Sequence, residues 1–530
     1  MNTSGRRVLG IGLDAFEISL AETMIADGQL PHMVRLAENS ARFRLDHESG
    51  KYTGLAWEHF STGRSPDDQG RWSAVSFDPD HYAVSQVETT TEPFIADLQC
   101  STVVFDVPYL DLEKAPNAVG LSSWGAHDPG TPEFSRPLEL RGEVAARYGT
   151  YPAPDWIYGF SWPSVDKTKA AGDALAKAVR IRTEIARDLL TNQAPDWRLA
   201  LLVVSESHSA IEQFWHGVDP SHPLHGLPSA KHARDAIIAV YKAIDELIKE
   251  LTQEFPDAVV LLFSMHGMGP NTADLPAMFL VPELMYRHAF GRSFVRQRKY
   301  SLSLPDGTPV LGHEEVWDVV MRKVVPWPRV AGSTLARVRR LLGDRRPIPG
   351  RAQAANLGWM PAARYASLWP SMPVFALPAY YDVQLRINLA GREANGMVPV
   401  DQYEQTSRSI IELIRECRDP VSGQEVVEKV MFRDKPPLEI GPTEADIYLS
   451  FVANTTGLRH PKLGTIGPVP YRRTGGHTGD WGFLYVSDPD SEPGDRGTAD
   501  AFDVAPTILD LMGAPPRPDL SGRSLLSRFM

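Results

Sequence analysis

An α/β fold, with a central mostly parallel sheet flanked by helices and a large inserted cap, is what this sequence predicts. Two observations carry the prediction. Short, almost wholly apolar runs at 8–13 (VLGIGL), 199–204 (LALLVV) and 259–263 (VVLLF) recur among helical segments, as strands of a parallel sheet buried on both faces do. Each run is followed within a few positions by a polar residue suited to chemistry, Asp14, His208 and His266. Open α/β sheets gather their ligands at the C-terminal edges of their strands, where such residues converge.

Up to about residue 265 the apolar runs alternate with helical segments, as in βα units feeding a parallel sheet. One helix is plain. In ARDAIIAVYKAIDELIKEL, Ile237, Val240, Tyr241, Ile244, Leu247, Ile248 and Leu251 keep helical spacing, so one face packs on the sheet and the charged face meets water. From about 270 to 470 prolines become frequent, and the stretch from Arg322 to Arg351 is rich in arginine. That change of texture predicts residues 270–470 as an inserted cap that selects substrate, with 1–269 and 471–530 as the main domain. The cap's arginines read either as contacts for an anionic substrate or as an ordinary solvated helix face. The main domain resumes with the Gly-rich turn of GGHTGDWGFLYVS. No internal repeat or low-complexity tract is visible.

At 530 residues the chain exceeds what one compact core usually holds. An apolar share of 43% with 23% charged residues is ordinary for a globular protein. The net charge of −12 offers no general attraction to nucleic acid or anionic membranes, and neither is expected as a partner. Two cysteines, Cys100 and Cys417, stand far apart, so no disulfide scaffold is implied and a reducing compartment is the simpler reading. No run approaches the roughly 18 to 20 apolar residues of a membrane span. Asp14 and Glu17 interrupt the apolar segment after Arg6 and Arg7 too early for a signal peptide. A cytoplasmic location is expected, and the pattern allows a monomer or a homodimer.

Five segments together resemble one family. They are GLDAFEISLAETMIADGQLPHMVRLAENSA, YTGLAWEHFSTGRSPDDQG, SMHGMGP, RINLAGREANGMV and DVAPTILDLMGAP. Nearly end to end, the chain is similar to the alkaline phosphatase superfamily, in its type I phosphodiesterase and nucleotide pyrophosphatase branch. The resemblance implies two-metal hydrolysis, in which two cations bracket a transferring phosphoryl or sulfuryl group. It makes Thr53 both nucleophile and ligand, since a hydroxyl needs a metal to attack at neutral pH, and offers the backbone N–H of Gly54 to the developing charge. Read alone, Thr53 beside Gly54 is an ordinary turn, and Leu55 stands where the family often has Pro.

The resemblance implies one metal site on His208, Glu212 and His477. Two imidazoles and one carboxylate are the ligand set of many hydrolytic zinc sites. A second alignment, with Glu212 and His216 as the pair four residues apart, stays open. The other site would hold Asp14, Thr53 and His266, but Met265 replaces a family carboxylate, and a thioether suits soft ions far better than Zn²⁺ or Mg²⁺. One or two divalent ions, most simply Zn²⁺, are therefore expected. In the loop SSWGAHDPG, His127 reads as a contact for substrate phosphate or a proton donor, against simple packing of the loop. Glu206 is expected to orient His208, as carboxylates do for metal-bound imidazoles.

The function these residues imply is metal-dependent hydrolysis of a small phosphorylated molecule, a phosphate ester or anhydride, of the phosphodiesterase or nucleotide pyrophosphatase type. Two alternatives remain. One is a sulfate- or phosphonate-ester hydrolase on the same site geometry, although the Cys-x-Pro-x-Arg or Ser-x-Pro-x-Arg segment of sulfatases is absent. The other is a binding protein that keeps the fold without catalysis.

Overall fold

The computed structural model describes residues 6–47, 54–160, 162–327, 357–452, 455–479 and 481–530. Thr53 lies outside the described residues, and so does the arginine-rich stretch from residue 328 to its end. The chain divides into two compact units, Met1–Gly70 with Thr89–Asn271 and Arg473–Met530, and Arg71–Glu88 with Thr272–Arg472.

The first unit is built on a nine-stranded sheet. In chain order the strands are β1 (Val8–Leu13), β2 (Ala41–Asp46), β3 (Thr102–Phe105), β4 (Ala118–Leu121), β5 (Ser135–Arg136), β6 (Leu199–Val204), β7 (Val259–Ser264), β8 (Gly482–Ser487) and β9 (Gly494–Asp500). Across the sheet they lie in the order β9, β2, β8, β7, β1, β6, β3, β4, β5. All run one way except β8 and β5, so the sheet is mixed and mostly parallel. At its centre β1, β6 and β7 are buried along their whole length. That is why each reads as a continuous apolar run rather than an alternation. In register, Leu13 stands beside Val204 and Gly12 beside Phe263, so the three strands deliver their next residues to one edge.

The helices that matter to that edge are α1 (Ala56–Thr62), α2 (Val165–Asp188), α3 (Glu206–Val218) and α4 (Ala230–Glu254). Ser164 caps α2 by accepting the N–H of Lys167, which satisfies one of the unpaired donors of a first turn. On α4 the seven residues picked out by helical spacing are all buried. The helix ends at Glu254 because Phe255 precedes Pro256, and a residue before proline is pushed out of the helical region.

The second unit carries a four-stranded antiparallel sheet, in the order Val374–Leu377, Val383–Ile387, Ile447–Phe451, Val427–Phe432. Phe77, Trp369 and Phe375 pack at its core, the last two stacked with centroids 4.9 Å apart. In the RINLAGREANGMV segment, Asn388 and Arg392 hold the backbone and a buried carboxylate. Asn388 donates to the carbonyls of Trp369 and Met372, and Arg392 grips Asp446 through two parallel bonds of 2.8 Å. Among the described residues no helix is long and apolar enough to cross a membrane.

Candidate active site

The first unit brings Asp14, His127, His208, Glu212, His266 and His477 together at the C-terminal edge of the parallel strands. Asp14 directly follows β1, and His266 stands two residues past β7. His208 and Glu212 lie one turn apart on α3, which starts two residues beyond β6, and His127 lies in the loop after β4. His477 arrives from a different direction. Gly475 and Gly476 pair antiparallel with Gly269 and Pro270, while the N–H of Thr474 donates to the carbonyl of Glu212 at 2.9 Å. A Cβ on Gly475 would lie 2.3 Å from the carbonyl oxygen of Ile211, so only glycine lets this turn run so close to α3.

Contacts among these side chains are short and mostly buried. Asp14 Oδ2 faces His208 Nδ1 at 3.0 Å, and its Oδ1 accepts the indole N–H of Trp57 at 2.7 Å. His208 Nε2 lies 3.2 Å from His477 Nε2 and 3.5 Å from Glu212 Oε1. The other Glu212 oxygen faces His127 Nε2 at 2.9 Å, and Arg473 pairs with Oε1. His127 stacks on His208 with centroids 3.7 Å apart, and its Nδ1 faces Asp128 at 3.2 Å. Tyr158 donates to the His127 carbonyl and, at 3.1 Å, to Asp128. His266 Nε2 lies 3.8 Å from Asp14 Oδ1, and its Nδ1 faces the Gly267 carbonyl at 3.1 Å.

An ionised carboxylate only accepts, so the His208 proton belongs on Nδ1 beside Asp14 and leaves a lone pair on Nε2. That lone pair faces a carboxylate oxygen and a second imidazole nitrogen. The carboxylate oxygen and this lone pair are both acceptors and repel unless a cation stands between them, whereas His477 Nε2 donates to the lone pair in one tautomer and stands beside it as a second potential ligand in the other. The donors, imidazole and carboxylate, are those that zinc prefers. Among the described residues, His127, His208 and Glu212 form the group of three potential ligands whose atoms all lie within 4.8 Å of one another. The residues therefore fit an ion on this side of the cluster.

Electrostatics follow from burial and crowding. Burial holds His127 and His266 down to about 4, with neighbouring His208 acting the same way on each. His477 is lowered well below its ordinary value by burial and by His266 and His208. For Asp14 burial works upward, but the surrounding imidazoles outweigh it and the carboxyl is lowered. Neutral imidazoles and an ionised carboxylate are the protonation states that bind metal.

Gly54 stands two residues ahead of α1 with φ of 75°. His216, of the alternative pair, is buried against Ser229, 3.4 Å from its hydroxyl. Glu206 does not orient His208. It is bound by Arg182 through Nε at 3.1 Å and Nη2 at 2.9 Å, because residues two apart on a helix point to opposite sides. Asp14 occupies the place on His208 expected of Glu206. Arg473, Trp57 and Tyr158, to which no sequence pattern points, also contact the clustered residues, as does Asp128 next to His127. Trp57 reaches Asp14 by lying over β1, where a Cβ on Gly12 would sit 2.5 Å from its ring.

Two buried histidines away from the cluster make stability depend on pH. Burial and the nearby His222 and His225 hold His216 at about 3, and burial holds His222 at about 4 despite Asp219. The unfolded chain takes up protons on these rings near pH 6.5, whereas the folded chain does so only near 3 to 4. Stability is therefore full above about pH 6.5 and falls as pH drops toward 4. Urea unfolding in chelator should show a loss of at least about 1 kcal/mol between pH 7 and pH 5, and a flat profile would contradict these burials.

No family model matches the chain, and no curated protein matches it in sequence. Its structure is similar to that of a mutant of alkaline phosphatase PafA, at 11% identity over 100% of both chains with a TM-score of 0.50. It also aligns with an inactive variant of murine ectonucleotide pyrophosphatase/phosphodiesterase 5 in complex with AMP, at 9% identity over 99% of this chain and 100% of that one, TM-score 0.48. Phosphonoacetate hydrolase from Sinorhizobium meliloti 1021, in complex with phosphonoformate, aligns at 14% identity over 96% and 95%, TM-score 0.43. At such identities likeness speaks for architecture, and the PafA match together with the nine-stranded, mostly parallel sheet gives the conclusion: this chain has the alkaline phosphatase-like α/β fold.

Proposed function

We propose that this chain is a metal-dependent hydrolase of phosphate esters or anhydrides, in the phosphodiesterase and nucleotide pyrophosphatase branch of the alkaline phosphatase superfamily. The observation that carries the reading is the convergence of His208 Nε2, Glu212 Oε1 at 3.5 Å and His477 Nε2 at 3.2 Å on the ligand-binding edge of the sheet. A divalent ion held by His208 and Glu212, with His477 or His127, would supply Lewis-acid stabilisation of charge on the phosphoryl oxygens. Thr53 is the proposed nucleophile, and Gly54 the proposed backbone donor. Arg473, paired with Glu212, carries a positive charge at the cluster and is suited to a phosphate oxygen. The second unit is the proposed substrate-selecting cap, and a small phosphorylated molecule the proposed substrate.

One observation favours a second reading. Arg473 pairs with Glu212, so the ligand carboxylate is compensated without any ion, as suits a non-catalytic binding protein. Metal content and hydrolysis of bis-p-nitrophenyl phosphate, by wild type and Thr53→Ala, separate the two. Bound metal with turnover that requires Thr53 is the expected result. A folded protein that takes up neither zinc nor manganese, and hydrolyses no phosphate, sulfate or phosphonate ester, would be the binding protein instead.

A further inference from the structure

Asp14 has both carboxylate oxygens engaged by N–H groups. His208 Nδ1 stands 3.0 Å from Oδ2, and the Trp57 indole nitrogen donates to Oδ1 at 2.7 Å. Neither contact is incidental. Asp14 follows β1 and His208 lies in the first turn of the helix after β6, two adjacent strands in register, and the Trp57 ring is accommodated by the missing side chain at Gly12. An ion ligated by Oδ1 would have to share that oxygen with the indole N–H. On that side His266 Nε2 lies 3.8 Å from Oδ1, and the residue before it is the buried thioether Met265, a poor donor to a hard cation. On the other side of the same carboxylate, the proton it fixes on Nδ1 turns the lone pair of His208 Nε2 toward Glu212 and His477.

We infer that Asp14 is a positioning carboxylate for His208 rather than a metal ligand, and that the chain holds one divalent ion, on the His208 side. The inference rests on the metal-dependent reading above. Asp14 fixes the tautomer and ring orientation of His208 and raises the basicity of Nε2, the role that outer carboxylates play for metal-bound imidazoles. Trp57 in turn holds Asp14.

The test is equilibrium dialysis of the full chain against Zn²⁺, with metal per chain from elemental analysis, beside the visible bands of the Co²⁺-loaded protein. Wild type is expected to bind one ion. Asp14→Asn should still bind one, about 10- to 100-fold more weakly, with shifted Co²⁺ bands that Asp14→Glu moves part of the way back. Two ions in wild type falling to one in Asp14→Asn would make Asp14 a ligand and overturn the inference while leaving the hydrolase reading intact. No ion in folded wild type would overturn both. If Asp14→Asn fails to fold, the wild-type stoichiometry decides together with Asp14→Glu, which keeps the charge. One ion per wild-type chain with shifted Co²⁺ bands in Asp14→Glu supports the positioning role, and two ions in wild type overturn it.

Discussion

Glu212→Gln is expected to lower turnover of a phosphodiester by about 10³-fold, corresponding to the several kcal/mol that a Lewis acid contributes to a charged transition state. Glu212 is where the cluster's contacts meet. One oxygen pairs with Arg473 and lies 3.5 Å from His208 Nε2, and the other lies 2.9 Å from His127. An amide keeps the shape but removes the charge, so an ion loses its carboxylate and Arg473 loses its partner. One half of the amide is also a donor. Turned toward Arg473, it would set N–H against N–H; turned toward His127, it leaves only a neutral oxygen for the guanidinium. Metal content should fall together with kcat/KM for bis-p-nitrophenyl phosphate. Wild-type turnover in Glu212→Gln would remove this residue from the chemistry and leave Asp14 and His266 as the groups to pursue.

What the sequence made legible depended on how far each feature is determined locally. Strands β1, β6 and β7 were visible because a doubly buried strand must be apolar throughout. Helix α4 was visible because one buried face imposes a period. Strand β9, with the sequence GDRGTAD, has no such signature; it exists because β2 offers it backbone partners at the sheet edge. Segment 71–88, which belongs to the second unit, likewise has nothing in its local pattern to mark the assignment. In the site, Asp14, His208 and His266 could be found as residues just beyond strand ends. Arg473 and Trp57 could not, since their contacts come from a glycine turn and a ring lying over a glycine, approaches that only the folded chain defines. Glu206 misled for a related reason. Its closeness to His208 in sequence said nothing of direction, and the helix turned it toward Arg182.

Arg182→Met is expected to cost about 3–5 kcal/mol of folding stability, the usual result of removing one partner from a buried ion cluster. Arg182, Asp106 and Glu206 are each 0% exposed. The guanidinium bonds Asp106 at 2.8 Å and Glu206 at 2.9 to 3.3 Å, and lies over the rings of Phe105 and Trp124. Without it two carboxylates face each other's charge in a medium that solvates neither. Uptake of a proton would relieve that repulsion. The deficit relative to wild type should therefore shrink as pH is lowered, a direction that loss of packing alone would not produce. The same cluster reaches the candidate site. Asp106 accepts the backbone N–H groups of Trp124 and Gly125 at 2.8 Å each, fixing the loop that two residues later presents His127 to Glu212. Variant that remains folded should accordingly bind Zn²⁺ more weakly than wild type. Urea unfolding at pH 8 and pH 5.5, with metal titration at the upper pH, checks both parts. A pH-independent loss would mean that packing rather than charge holds α2 to the sheet, and unchanged metal affinity would uncouple the buried cluster from His127.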